Sequence, residues 1–169
     1  MAVDATHRQI RAHDLSGRCV EPERLHVTLH WLGDHDGVPN DLIRRARRAC
    51  SDVEMAPFGV CFDRIGSLGG AEMGGLVLTG SAGLKTLRQF QHVLAREMDA
   101  AGIGHCIRKR FNPHVSLFYG RQHVARETVA PIRWTVDELV LVDSLVGDGV
   151  HVDLDNWPLQ SRQMSFVDW

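Results

Sequence analysis

The chain has 169 residues, of which 44% are hydrophobic and 24% charged, and its formal net charge at pH 7 is −2. These values are typical of a globular domain and exclude a collagen-like chain, a coiled coil and a wholly disordered protein. They also argue against a nucleic-acid binder that is basic over its whole surface, although a local basic patch is compatible with them. Ten histidines are the first indication of chemistry, because histidine titrates near neutrality.

Hydrophobic periodicity predicts three helices in this chain. A weak pattern predicts a short helix at 4–14. Residues 41–53 and 82–101 repeat apolar side chains at three- and four-residue steps, as amphipathic helices do. Ser81 is the expected N-cap of the third helix, and Gly102 suits its C-terminal stop.

Alternating or continuous apolar runs between turn residues predict the strands. The strand at 25–32 ends at Gly33, and a strand within 132–146 forms a hairpin with 149–155. Further strands are expected at 57–65, 75–79, 104–109 and 114–119. We expect a single domain over 1–159, followed by a loose tail at 160–169.

The cysteines and the N-terminus indicate the compartment. No two of the four cysteines have the C-x-x-C spacing of a structural zinc site, and a chain of this length does not need a disulfide framework. The N-terminus carries no apolar signal segment, and no run approaches 18 apolar residues. We therefore expect a cytoplasmic protein that does not span a membrane.

One short pattern occurs twice, 88 positions apart, as His26-Val-Thr-Leu29 and His114-Val-Ser-Leu117. Alternate side chains of a strand share a face, so each strand presents one imidazole and one hydroxyl side by side. The apolar side chains that alternate with them, up to Trp31 and Tyr119, are expected to be buried on the opposite face.

Two imidazoles and two hydroxyls suit the opening of a cyclic phosphodiester. The reaction needs a base to activate water, an acid to protonate the leaving oxygen and donors for the non-bridging oxygens. One neutral and one charged histidine supply the base and the acid, so this chemistry requires no metal and no cofactor.

With these paired motifs the sequence resembles the two-histidine (2H) phosphoesterase superfamily, and most closely its bacterial branch of RNA 2′,3′-cyclic phosphodiesterases, also called 2′-5′ RNA ligases. The flanking segments 20–33 and 111–117 and the closing hairpin at 134–158 carry the same likeness. The resemblance implies an α+β fold that is bilobal, with two pseudo-symmetric antiparallel sheets, outer helices and a central cleft. Members usually begin with an apolar strand before the first helix, so we expect either a start further upstream or a sheet without that strand.

The resemblance also implies a role for each motif residue. His26 would donate the proton to the leaving 3′-oxygen, and His114 would accept the proton of the attacking water. Thr28 and Ser116 would bind the phosphate, and the product would be a 2′-phosphate. Related enzymes can also run a reverse 2′-5′ ligation without a nucleotide cofactor.

Three further residues are candidate substrate contacts. His30 would touch a phosphate or a base, or else face solvent. Phe118 would stack on a base, or else pack in the core. Arg110, in the run Arg108-Lys-Arg110, would attract an RNA backbone, or else belong to a solvated charge run. The spacing of His26 and His30 on a strand is not that of a metal site.

The expected partner is an RNA end that carries a 2′,3′-cyclic phosphate, with no membrane and no obligate protein partner. Two alternatives remain open from the sequence. One is a phosphodiesterase of the same fold that acts on a small cyclic nucleotide or an ADP-ribose cyclic phosphate. The other is a non-catalytic module that binds RNA ends.

Overall fold

The structure, a computed structural model, describes residues 17–68, 75–120, 123–145 and 149–160. Within these ranges two α-helices and seven strands occur in the following order: β1 (Gly17–Cys19), α1 (Asn40–Ser51), β2 (Phe58–Leu68), β3 (Gly75–Thr79), α2 (Lys85–Ala100), β4 (Val115–Gly120), β5 (Glu127–Val136), β6 (Glu138–Leu145) and β7 (Val150–Pro158). The predicted helix at 4–14 and the tail beyond Gln160 lie outside the described residues.

The strands form two sheets. One has the strand order β1-β4-β3-β2-β5, and the other is the β6–β7 hairpin. The strand pairs whose register is defined are antiparallel. Antiparallel sheets accompanied by separate helices make an α+β fold, which confirms the predicted fold class. The predicted strands at 57–65, 75–79 and 114–119 and the predicted closing hairpin are confirmed as β2, β3, β4 and β6–β7.

The chain divides into two compact units, each made of three segments. The motif unit comprises the described residues of 17–29, 60–87 and 110–134, and contains most of the five-stranded sheet. The hairpin unit comprises those of 30–59, 88–109 and 135–160, and contains α1, most of α2 and the β6–β7 hairpin. All four motif residues therefore lie in the motif unit.

Helix α1 confirms the prediction at 41–53, although it ends two residues earlier. Its buried side chains follow one stripe, which consists of Ile43, Ala46, Ala49 and Cys50. The arginines between them are exposed and paired with acids. Asp41 accepts hydrogen bonds from Arg44 and Arg45, and Arg47 Nε lies 3.2 Å from Asp155. This face is thus a neutralised helix surface.

Helix α2 begins at Lys85, three residues later than predicted, and Ser81 is not its N-cap. The amide and hydroxyl of Ser81 instead donate to the two carboxylate oxygens of Asp63, at 2.9 and 2.5 Å. These hydrogen bonds hold the pKa of Asp63 below its usual range. At the C-terminus the prediction is confirmed, because Gly102 adopts φ +76° just beyond the helix.

Two strand predictions are wrong, in both cases because local hydrogen bonds replace a sheet ladder, and a third is confirmed only in part. Instead of a strand at 25–32, a 3-10 turn at Pro22–Arg24 diverts the chain after Val20, and Leu25 N–H bonds to the Pro22 carbonyl at 3.2 Å. Instead of a strand at 104–109, a 3-10 turn at Gly104–Cys106 ties the amides of 106 and 107 to the carbonyls of 103 and 104. The predicted strand within 132–146 is interrupted at Asp137, and its halves join different sheets.

Candidate active site

The segment that leads to the first motif lies beside the start of the second motif in the five-stranded sheet. Strand β1 runs antiparallel to β4, with Cys19 opposite Phe118, and Val20 N–H donates to the Leu117 carbonyl at 2.9 Å. In an antiparallel pair the end of one strand lies beside the start of the other. The first motif follows β1, and His114 directly precedes β4. The fold therefore brings the segment that precedes the first motif close to the start of the second motif.

The ring of His26 has partners on both nitrogens. Its Nδ1 lies 2.7 Å from the carbonyl oxygen of Arg24, and its Nε2 lies 3.1 Å from Thr28 Oγ1. A carbonyl oxygen can only accept, so Nδ1 carries a proton. Nε2 then accepts from the Thr28 hydroxyl when the ring is neutral, and donates when the ring is charged. His26 is exposed, so Nε2 is the ring nitrogen placed for proton transfer.

His114 has the same arrangement on Nδ1, which lies 2.8 Å from the carbonyl oxygen of Asn112. Pro113, fully buried, separates the two residues and restricts Asn112 to extended backbone. Ser116 is half-buried on β4, where it lies opposite Val77 of β3. In both motifs, then, the backbone carbonyl two residues before the histidine fixes the ring and its tautomer.

The carbonyl groups of Arg24 and Asn112 were not anticipated from the sequence. Backbone oxygens are present at every residue, so no residue type marks one that binds a side chain. The indirect signal is a proline near each motif: Pro22 opens the 3-10 turn that contains Arg24, and Pro113 follows Asn112. Such prolines fix the local backbone direction.

The expected alternation of buried and exposed side chains holds in the middle of the second motif. It fails at the ends of both motifs, and in the first motif Leu25, Val27 and Leu29 are only half-buried. Val115 and Leu117 are buried, as expected, but Tyr119 is 51% exposed and Trp31 is 56% exposed. Phe118 is 3% exposed, and a Cβ on Gly17 would lie only 2.7 Å from its ring. For Phe118 the structure therefore favours the core-packing alternative over base stacking.

The structure places His30 in the hairpin unit and binds both of its ring nitrogens within the protein. It is half-buried, with Nε2 3.3 Å from the Gln91 carbonyl oxygen and Nδ1 3.2 Å from the Arg108 amide nitrogen. Burial, as the largest cause, lowers its pKa. Both ring nitrogens are thus engaged within the protein. Arg110, in contrast, is exposed in the motif unit, and within the described residues no ion pair involves its guanidinium.

Charge is divided unequally between the units. The described residues of the motif unit include seven basic and four acidic side chains, a net charge of +3, whereas the hairpin unit includes eight and twelve, a net charge of −4. The overall charge of −2 conceals this division. The unit that contains both histidine motifs is therefore the one that attracts anions.

The described residues contain neither a metal-ligand cluster nor a membrane-spanning helix. No three histidine, cysteine, aspartate or glutamate side chains within these ranges are grouped as metal ligands would be. Neither described helix has the length and apolar character needed to cross a membrane.

Comparisons with known proteins agree with this fold and identify a family. The model of the 2′-5′ RNA ligase superfamily matches residues 2–148. Similar folds occur in TT0787 of Thermus thermophilus (TM-score 0.68, 20% identity, covering 96% of this chain and 93% of that one) and in E. coli LigT complexed with 3′-AMP (0.67, 19%, 94% and 91%). A crystal structure described as a phosphoesterase is similar as well (0.67, 19%, 94% and 94%). No curated protein matches the chain. Since the family model covers most of its length, the chain belongs to the 2′-5′ RNA ligase superfamily of 2H phosphoesterases.

Proposed function

We propose that this protein hydrolyses the 2′,3′-cyclic phosphate at the 3′ end of an RNA to a 2′-phosphate. The observation that carries the proposal is the matched arrangement of the two histidines. Each Nδ1 is held by a backbone carbonyl, at 2.7 Å in His26 and 2.8 Å in His114. Each ring therefore directs the chemistry to Nε2, as a proton-transfer pair requires.

The reaction divides the two rings between acid and base. Neutral His114 takes a proton from water at Nε2 while the water oxygen bonds to phosphorus. The bond between phosphorus and the 3′-oxygen breaks, and charged His26 gives its Nε2 proton to that oxygen. The products are a 2′-phosphate and a free 3′-hydroxyl. His114 then holds the extra proton, and exchange with solvent restores both rings.

The hydroxyl groups of Thr28 and Ser116 bind the non-bridging oxygens, where negative charge accumulates as water adds. Thr28 Oγ1 lies 3.1 Å from His26 Nε2, so its hydroxyl and the acid meet at one place. Donors fixed in the fold stabilise the developing charge without reorganising during the reaction. None of these steps requires a metal or an organic cofactor.

The charge of the motif unit favours RNA over a small cyclic nucleotide. A net charge of +3 attracts a polyanion more strongly than a molecule with one phosphate. Arg110, exposed four residues before His114, is a candidate contact to the RNA backbone. The small cyclic phosphate and the non-catalytic binder remain the alternatives, and reverse 2′-5′ ligation is a further activity of the same site.

Residues 1–159 act as one catalytic domain in this scheme, since the segments of the two units alternate along the chain. We expect the protein to act in the cytoplasm. The four cysteines are all free, as is usual in a reducing compartment.

The test is an assay on an oligoribonucleotide that ends in a 2′,3′-cyclic phosphate, with the product resolved as 2′- or 3′-phosphate. We expect the 2′-phosphate. Equal or faster turnover of cyclic mononucleotides would overturn the preference for RNA. Binding of the RNA end without release of a phosphatase-sensitive phosphate would favour the non-catalytic alternative.

A further inference from the structure

Gln91 is a rare kind of residue in this fold, a fully buried polar side chain. It is 2% exposed, and within the described residues only Thr79 is also polar and buried. Buried polar groups are expected to have hydrogen-bond partners. The Gln91 side-chain nitrogen donates to the Arg108 carbonyl at 3.3 Å, and its backbone carbonyl lies 3.3 Å from His30 Nε2. Gln91 on α2 thus joins two segments that are far apart in the sequence.

The third contact fixes the tautomer of His30. The Arg108 amide lies 3.2 Å from His30 Nδ1, and an amide can only donate. Nδ1 is therefore unprotonated, and the neutral ring holds its proton on Nε2, which donates to the Gln91 carbonyl. The Gln91 side-chain nitrogen also lies 3.3 Å from Nε2, but both atoms are donors in this tautomer, so the side chain donates to the Arg108 carbonyl instead. This tautomer is opposite to that of His26 and His114. We refer to His30, Gln91 and Arg108 as the His30 network.

Two members of the His30 network lie close, along the chain, to the boundaries between the units. His30 directly follows the first motif and is the first residue of the hairpin unit after Leu29. Arg108 comes six residues before His114, and the chain returns to the motif unit at Arg110. The network therefore holds together, inside the hairpin unit, the segment that leaves one motif and the segment that leads to the other.

We propose that His30 is a positioning residue for the two catalytic motifs, which acts by holding Arg108 through Nδ1 and Gln91 through Nε2. The inference rests on the proposed function. Because both ring nitrogens are engaged, His30 does not touch the substrate. It fixes the point where each motif-bearing segment is anchored, and misplacement of catalytic groups by about 1 Å can lower turnover by up to ~10²-fold.

The test compares His30→Leu with His30→Gln. Leucine removes both hydrogen bonds, whereas the glutamine amide has an acceptor for Arg108 N–H and a donor for the Gln91 carbonyl, about as far apart as the ring nitrogens. His30→Phe replaces His30→Leu if that variant does not fold. His105→Gln, in the exposed 3-10 turn, is the matched control.

Two readouts separate positioning from general destabilisation. In the leucine variant, amide hydrogen exchange followed by NMR should show selective loss of protection at Arg108. With the cyclic-phosphate RNA as substrate, kcat should fall by about 10-fold with KM nearly unchanged. His30→Gln should keep both the protection of the Arg108 amide and kcat near their wild-type values. His105→Gln should change neither of these two quantities.

Two results would overturn the positioning role: a leucine variant that turns over as the wild type does, or an Arg108 amide that stays protected in it. Wild-type protein without turnover would refute the proposed function and the positioning role with it. In that case the exchange of the Arg108 amide still reports whether the His30 network exists.

Discussion

The Nε2 atom of His26 lies 3.1 Å from Thr28 Oγ1, within the same motif. This hydrogen bond links the proposed acid to a proposed phosphate donor, so removing the hydroxyl disturbs both functions. We expect Thr28→Val, which keeps the branched shape, to lower kcat by about 10²-fold, as loss of one charge-stabilising donor does. Thr28→Ser keeps the hydroxyl and should retain most of the activity. Steady-state kinetics on the cyclic-phosphate RNA checks both, and an active valine variant would remove Thr28 from the mechanism.

The two histidines should each be essential for turnover. Because each proposed proton transfer contributes about 10²–10⁴-fold in rate, His26→Ala and His114→Ala should each lose at least ~10²-fold in kcat. His123→Ala, at an exposed position of the motif unit, is the control and should remain active.

Because the scheme uses no metal, treatment with a chelator should leave the wild-type rate unchanged. Loss of activity in the chelator that is restored by a divalent cation would contradict the scheme.

The sequence was sufficient to predict the elements whose side-chain pattern and hydrogen bonding agree. Strands β2 and β4 alternate apolar side chains, β3 is a continuous apolar run, and all three enter a sheet. The segment 25–32 alternates in the same way, yet its backbone leaves the sheet after the turn at Pro22–Arg24. Apolar side chains that alternate with a period of two indicate a segment suited to a strand. They do not indicate whether a neighbouring strand is available to pair with its backbone.

In the candidate site, too, local patterns could be predicted from the sequence and long-range contacts could not. The motif residues could be identified because imidazole and hydroxyl groups recur at one spacing. The role of His30 could not, because its partners Gln91 and Arg108 lie 61 and 78 residues away in the sequence. A long-range contact of this kind depends on the packing of α2 and has no local pattern.

Gly102 should be required for the end of α2. Its N–H donates to the Asp99 carbonyl and the Ile103 N–H to the Met98 carbonyl, both at 2.9 Å, which is the pattern of a Schellman motif. Its φ of +76° disfavours any residue with a Cβ. Gly102→Ala should therefore lower the free energy of unfolding by about 1 kcal/mol in urea denaturation. Gly59→Ala, where a Cβ would meet nothing, should have little effect, and equal losses would contradict this explanation.

Cys50 should react slowly with alkylating reagents. It is 8% exposed on the buried stripe of α1, and burial raises its pKa to about 12. The thiolate is the reactive form, so at pH 8 very little of Cys50 can react. Timed iodoacetamide labelling with peptide mass spectrometry should show Cys50 protected in the native protein and modified in urea. Rapid native labelling would mean that the α1 packing opens readily.

The His30 network should make stability depend on pH. Burial first, and then the charges of Arg108 and His92, lower the pKa of His30, while its bond to the Gln91 carbonyl opposes the shift. A protonated Nδ1 would face the Arg108 N–H as a second donor, so the folded state resists the proton. The contribution of His30 to stability is therefore fully present above the unfolded pKa of about 6.5 and is lost as pH falls through the lower folded value.

In that window the free energy of unfolding of the wild type should fall by up to about 1.4 kcal/mol per pH unit because of this group. His30→Gln lacks the titrating ring, so its loss of stability between pH 7 and 5 should be smaller. Urea denaturation at several pH values measures the difference. Making the same comparison in a His92→Gln background removes the neighbouring titration. Parallel curves for wild type and His30→Gln would mean that His30 binds its proton equally well in the folded and unfolded states.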